Sequence, residues 1–234
     1  MATSPNDRYH PWPVRQLRDR LCSDDSLWKL CRPKATATKH DIREADLEAL
    51  AAAVMKEQFG SERVRLRRPI AETLGIHSAP FPGRARPDIV VNMDGSFHVC
   101  ELKSSRTDYN RFDDVFESRP FKDYLESLGH YGSAPWEVEQ DLIKLRLYYE
   151  LSDRVRSCLF IMIDAYDGPG PAWANVFADP LTFTSTMRTQ LVRGWVTELL
   201  AGTTIEPISA GRARAKMIVC EVPLSVRLKQ ASGA

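Results

Sequence analysis

Long apolar runs are missing from this sequence. No stretch approaches the roughly 18 consecutive apolar residues of a membrane span, and the opening MATSPNDRYHPWPVRQ lacks the apolar centre of a secretory signal. The expectation is a cytoplasmic protein with no membrane partner. Cysteine is sparse: Cys22, Cys31, Cys100, Cys158 and Cys220 are odd in number, scattered and without CxxC spacing. That argues against disulfide and zinc frameworks and for reduced, mostly buried thiols. His10, His40, His77, His98 and His130 form no metal-ligand spacing either. An excess of one charge is also lacking, since 32 Lys and Arg face 31 Asp and Glu, for a net charge of +1. A role on a polyanion or a membrane surface therefore has to be sought locally. There is no repeat at solenoid spacing and no low-complexity tract.

What is present is an ordinary globular composition, 43% hydrophobic and 27% charged over 234 residues, with no linker to divide it, so one domain is expected. After a proline-rich entry, residues 13–31 suggest a helix closed by Arg32 and Pro33. A second helix spans 41–59, with Asp41 as its cap and Gly60 as its stop. Val64 and Leu66 alternate with Arg63, Arg65 and Arg67 in the period of a half-buried strand, and 71–86 read as loop. The runs PDIVVNM and SFHVCELKSS flank Asp94-Gly95, a strong two-residue hairpin signal. Residues 106–134 suggest one helix broken around Pro120, and 135–152 a long helix with Pro135 near its start. The apolar run 157–166 predicts a strand covered on both faces. A strand near 172–178, a helix near 184–200 and a strand near 215–222 complete the reading. Strands alternating with helices argue for the α/β class.

With Asp94 and Gly95 as the central turn residues, Met93 faces Ser96, and counting back along the hairpin brings Asp88 opposite Glu101. Opposed residues project to one face with Cβ atoms roughly 4.5–5.5 Å apart, and Lys103 shares that face. Asp88, Glu101 and Lys103 therefore converge on strands rich in Ile, Val, Phe and Leu. Two carboxylates so close would repel unless a positive charge sits between them. Hard oxygen ligands with no nearby His or Cys select Mg²⁺, or Mn²⁺ as a substitute, over zinc. Such an ion lowers the pKa of a bound water and screens a phosphate, and Lys103 is suited to steady the attacking water or the developing charge. The plainer reading is that all three are solvated charges at strand ends.

Pro87-Asp88, twelve intervening residues, then Glu101-Leu102-Lys103 resembles the PD-(D/E)xK nuclease superfamily, the restriction-endonuclease-like fold. The resemblance covers about residues 41–166, where helix, three strands, helix and strand follow in that family's order. It implies a core of the αβββαβ type with a mixed sheet covered by helices. Residues 1–40 would then be an N-terminal helical extension and 167–234 a C-terminal α/β extension of the same domain. The resemblance further implies Asp88 and Glu101 as Mg²⁺ ligands, the Leu102 carbonyl near the metal and Lys103 as a catalytic residue. Many members add a glutamate from the first core helix. The apolar stripe of 41–59 centres on Leu47, Ala51 and Val54, so Glu44 at its edge is the better candidate and Glu48 the reserve, while Glu57 points away. Some members set a Gln or Lys from the later helix near the phosphate, which nominates Gln140 and Lys144 for nucleic-acid binding. By the hairpin register His98 faces away from Glu101.

Locally, charge becomes informative. Residues 63–86 carry Arg63, Arg65, Arg67, Arg68, Arg84 and Arg86 against Glu72 alone, and 211–229 carry Arg212, Arg214, Lys216, Arg227 and Lys229 against Glu221. Basic segments beside an acidic metal centre suit a phosphate backbone, with Arg84 and Arg86 nearest the motif. The alternative is solvated arginines. The aromatic residues between Tyr109 and Trp136 include candidates for base stacking, though packing is the commoner use. The expected activity is a Mg²⁺-dependent nuclease, most simply a DNA endonuclease. A homodimer would suit cutting of both strands. The alternatives are a nuclease-fold protein that binds nucleic acid or a protein partner without cutting, and an unrelated metal-dependent hydrolase of a small phosphorylated substrate.

Overall fold

The structure, a computed structural model, describes residues 11–31, 39–77, 85–104, 123, 137–165, 172–187 and 193–224. In chain order these form α1 (Val14–Ser23), a 3-10 turn (Asp25–Leu27), β1 (Trp28–Cys31), β2 (Lys39–Ile42), α2 (Glu44–Phe59), β3 (Val64–Leu66) and α3 (Ile70–Thr73). There follow β4 (Ile89–Met93), β5 (Ser96–Ser104), α4 (Glu137–Leu151), β6 (Val155–Asp164), α5 (Trp173–Ala178), α6 (Pro180–Thr186), α7 (Arg193–Ala201), β7 (Thr203–Ala210) and β8 (Ala213–Glu221). Six strands make one mixed sheet in the order β3-β4-β5-β6-β8-β7, and β1 pairs with β2 in a separate two-stranded ribbon. Only β5 and β6 run parallel. A parallel pair needs a crossover of a dozen residues or more, and α4 lies within it.

Alternation along the strands sends side chains to two cores. Ile89, Val91, Cys100, Leu102, Leu159, Ile161 and Ile163 face α1 and α2, where they meet Leu17, Leu21, Leu47, Ala51, Val54 and Met55. Val90, Phe97, Val99, Cys158, Phe160 and Met162 face α4 and α5–α7, meeting Leu142, Leu145, Tyr148, Trp173 and Trp195. Each large apolar side chain so buried contributes on the order of 1.5–3 kcal/mol. Covered on both faces, β6 is buried at nine of its ten positions, as its apolar run predicts.

The β4–β5 hairpin has the expected register, with Met93 opposite Ser96 and Ile89 opposite Cys100. Asp94 and Gly95 both take positive φ, 52° and 88°, which is the pattern of a type I′ turn. The ladder ends at that Ile89–Cys100 pair, and Asp88 and Glu101 are the next residue outward on each strand.

Several expectations are corrected. The first helix stops at Ser23, and β1 follows where 13–31 reads as one helix, so the segment before residue 41 is not wholly helical. Asp41 does not cap α2; it lies in β2, where its carboxylate accepts the Ile42 N–H at 2.8 Å. Arg43 holds the N-cap position without a side-chain cap bond, and Asp46 in the first turn answers its guanidinium at 2.7 Å. The loop read over 71–86 contains the end of α3. The strand expected near 172–178 is α5: Trp173, Val176 and Phe177 bury one helical face, and the Asp164 carboxylate accepts the Ala174 N–H at 2.8 Å. The helix expected over 184–200 is split between α6 and α7, and β7 precedes β8 as an edge strand not anticipated in the sequence. The broken helix around Pro120 lies outside the described residues. Cys100, Cys158 and Cys220 are buried free thiols and Cys22 an exposed one, in line with the expected reduced state. Among the described residues no helix is long and apolar enough to cross a membrane.

Candidate active site

At the open end of β4 and β5 the apolar pattern gives way to charge. Asp88 precedes β4, Glu101 and Lys103 end the α4-facing side of β5, and all three are buried. Asp88 Oδ2 accepts the Leu102 N–H at 2.8 Å, which fixes the Leu102 peptide against the carboxylate. Glu44, on the first turn of α2, reaches over the sheet end to lie 3.5 Å from Lys103 Nζ. The α2 stripe is centred as expected, on Leu47, Ala51 and Val54, and this is why Glu44 and Glu48 stand at its edge. Glu57 points away, to Arg20.

From the other layer α4 contributes Gln140, Asp141 and Lys144, all buried. Asp141 and Lys144 face β5: Lys144 Nζ lies 2.6 Å from Asp141 Oδ1, an i,i+3 pair, and 3.4 Å from Glu101 Oε1. The second Asp141 oxygen lies 3.2 Å from Lys103 Nζ. Lys144 is therefore engaged with two carboxylates and does not stand open to a nucleic-acid backbone. Asp141 is the residue that the sequence reading passed over. Its available signal was an acid one turn before a lysine, on a helix whose remaining face is apolar.

Arg67 was also passed over as an individual. It follows β3, its N–H donates to the Asp88 carbonyl at 3.2 Å, and its guanidinium hydrogen-bonds Glu48. The same guanidinium lies 3.7 Å from Asp88 Oδ1 and 4.0 Å from Glu44 Oε1. Among the described residues, one ion-pair network thus joins five carboxylates (Glu44, Glu48, Asp88, Glu101, Asp141) to three cations (Arg67, Lys103, Lys144).

That acid excess shows in the titration behaviour. Burial pushes the Glu101 carboxyl well above the carboxylate range; Lys144 opposes this, and Asp88 and Asp141 add to it. Burial and the Asp88 charge raise Glu48 to about 7 against the pull of Arg67. For Lys144 burial acts against the ammonium, but Asp141 and Glu101 outweigh it and hold its pKa well above the ordinary value. For Asp141 burial is likewise outweighed, by Lys103 and Lys144, and its pKa is lowered.

The residues fit a divalent ion in its two-carboxylate form. Asp88 lies one residue outside the Ile89–Cys100 pair and Glu101 one residue beyond Cys100, the donors are hard oxygens, and the buried Glu101 Oε1 makes no hydrogen bond, its near cation being Lys144 at 3.4 Å. Among the described residues, no three His, Cys, Asp or Glu side chains stand at ligand spacing. Glu44 Oε1 lies 3.5 Å from Lys103 Nζ and 4.0 Å from the Arg67 guanidinium, which itself lies 3.7 Å from Asp88 Oδ1. An ion here would take much of its coordination from water, as Mg²⁺ commonly does.

Of the basic residues, Arg86 is exposed two positions before Asp88, while Arg84, Arg227 and Lys229 lie outside the described residues. Arg63 pairs with Asp94 at 3.4 Å. Beside β3 an open groove of about 530 Å³ is lined by Lys56, Arg65 and Arg68, with Glu72 as its acid. His98 faces the opposite side from Glu101, as expected, and meets the Ser157 hydroxyl at 2.8 Å. The aromatics between Tyr109 and Trp136 lie outside the described residues. In comparisons with known proteins, no protein-family model, no curated protein and no solved structure matches this chain.

Proposed function

We propose that the protein is a Mg²⁺-dependent nuclease that hydrolyses phosphodiester bonds, in DNA by preference, with a PD-(D/E)xK site at Asp88, Glu101 and Lys103. The observation that carries the reading is the burial of Asp88, Glu101 and Lys103 together at the open end of the β4–β5 hairpin, with Asp88 Oδ2 accepting the Leu102 N–H. The order helix, strand, one-turn α3, two strands, helix, strand over α2 to β6 supports it, since apart from α3 this is the order the resemblance implies. In this reading Asp88 and Glu101 hold the ion, with the Leu102 carbonyl as a third oxygen. When bound, a divalent ion supplies Lewis-acid charge at the phosphate and lowers the pKa of a water. Lys103 donates to the attacking water or to the developing negative charge, and Glu44 and Asp141 aim its ammonium. Arg86 and the groove cations Lys56, Arg65 and Arg68 are the surface for the phosphate backbone.

A second reading is favoured by one observation. Lys144 already fills the space between Glu101 and Asp141, and Lys103 that between Glu44 and Asp141, as in a nuclease-fold protein that binds nucleic acid or a partner protein without cutting. Metal-stripped protein incubated with supercoiled plasmid, linear duplex and RNA separates the two. The nuclease reading expects conversion of plasmid on addition of Mg²⁺ or Mn²⁺ and none in chelator. Intact nucleic acid under all these conditions would leave the non-cutting reading in its place.

A further inference from the structure

Arg67 differs from the other cations of the network in two ways. Its side chain is 56% exposed, against 8% for both Lys103 and Lys144. Its φ is +45°, a left-handed conformation that side chains other than glycine rarely adopt and that the surroundings have to hold in place. The guanidinium it presents pairs with Glu48 and lies within 4.0 Å of both Asp88 and Glu44. It therefore supplies positive charge at Asp88, one of the two carboxylates assigned to the metal, from an exposed side chain. A divalent ion on Asp88 would stand a few ångströms from that guanidinium, and like charges so close repel. An exposed arginine can turn outward to escape, and the guanidinium fork matches a phosphate with the same bidentate geometry that it offers a carboxylate.

Resting on the metal-site reading above, we propose that Arg67 is a built-in countercation of the site, displaced by the divalent ion and taken up by a nucleic-acid phosphate. Metal and nucleic acid then bind cooperatively, because each removes the guanidinium that opposes the other's partner state. The coupling is reciprocal by linkage. A merely structural arginine would have the opposite signature, since its loss would leave ion affinity unchanged or loosen the site.

The test is Mn²⁺ binding to metal-stripped protein, followed through the electron paramagnetic resonance of the free ion. It is run alone and with a phosphorothioate duplex that resists hydrolysis, with binding to the duplex itself subtracted. For the parent, the duplex is expected to tighten Mn²⁺ binding by roughly 5-fold or more, the lower end of ordinary allosteric coupling. Arg67→Gln without duplex is expected to bind Mn²⁺ more tightly than the parent by about the same factor. The duplex should then add little. Arg67→Lys keeps the charge and should bind Mn²⁺ like the parent in the absence of duplex, with a smaller gain when the duplex is added. Arg67→Gly, which suits the positive φ, serves in place of the glutamine variant if that one does not fold. If the uncharged variants bind Mn²⁺ no more tightly than a parent that clearly binds it, the countercation is refuted and the metal site stands. If neither binds Mn²⁺, both the countercation and the metal site are refuted.

Discussion

Lys144 sits between Glu101 and Asp141 with only 8% of its side chain exposed, and those two carboxylates are each 2% exposed. Removing one member of a buried pair strands the other, at a cost of about 3–5 kcal/mol. Because acids outnumber cations in this network, loss of a cation and loss of an acid should act in opposite directions. Lys144→Met should lower unfolding stability by about 3–5 kcal/mol in urea titrations run in chelator. Glu101→Gln should leave it equal or slightly raised, since Lys144 keeps Asp141 and the repulsion from Asp88 and Asp141 is relieved. A Lys144→Met variant as stable as the parent would contradict the network described here. The burial of these groups is not legible in sequence, because the strand residues that Asp141 and Lys144 meet, Lys103 and Glu101, are remote along the chain.

At the level of elements, the β4–β5 hairpin was the most legible part of the fold, because a two-residue turn sets its register locally. Gly95 has φ +88°, and a Cβ there would meet nothing nearer than the Arg154 side chain at 3.7 Å. The cost of Gly95→Ala is therefore conformational, on the order of 1–2 kcal/mol, measurable as a lower unfolding midpoint. No loss would mean that another turn type serves equally well. The α2 stripe and the apolar run of β6 were legible for the same reason, since periodicity and burial are written in consecutive residues. Asp41 was misread as a cap because an acid before a helix looks the same when it belongs to a preceding strand. Residues 172–178 were misread because six residues with apolar spacing fit a short helix as well as a strand, and the cap from Asp164 comes from another element. β7 was missed because it is an edge strand with Pro207 and several polar residues, which an edge tolerates.

Across the whole molecule, a near-zero net charge conceals a separation of sign. Acids converge where β4, β5, α2 and α4 meet, while Lys56, Arg65, Arg68 and Arg86 lie on the surface around β3 and the approach to β4. Under the proposed function that arrangement would suit a phosphodiester substrate, and it arises from residues far apart in the chain brought together by the sheet order. The central claim is that Asp88 and Glu101 share one catalytic divalent ion. Its most direct test is plasmid cleavage in Mg²⁺ by Asp88→Asn and Glu101→Gln, with thermal unfolding in chelator measured on the same preparations. The account predicts that the parent cuts, that neither variant does, and that both unfold at or slightly above the parent temperature. Variants that cut at the parent rate, or that lose activity only through unfolding, would contradict it.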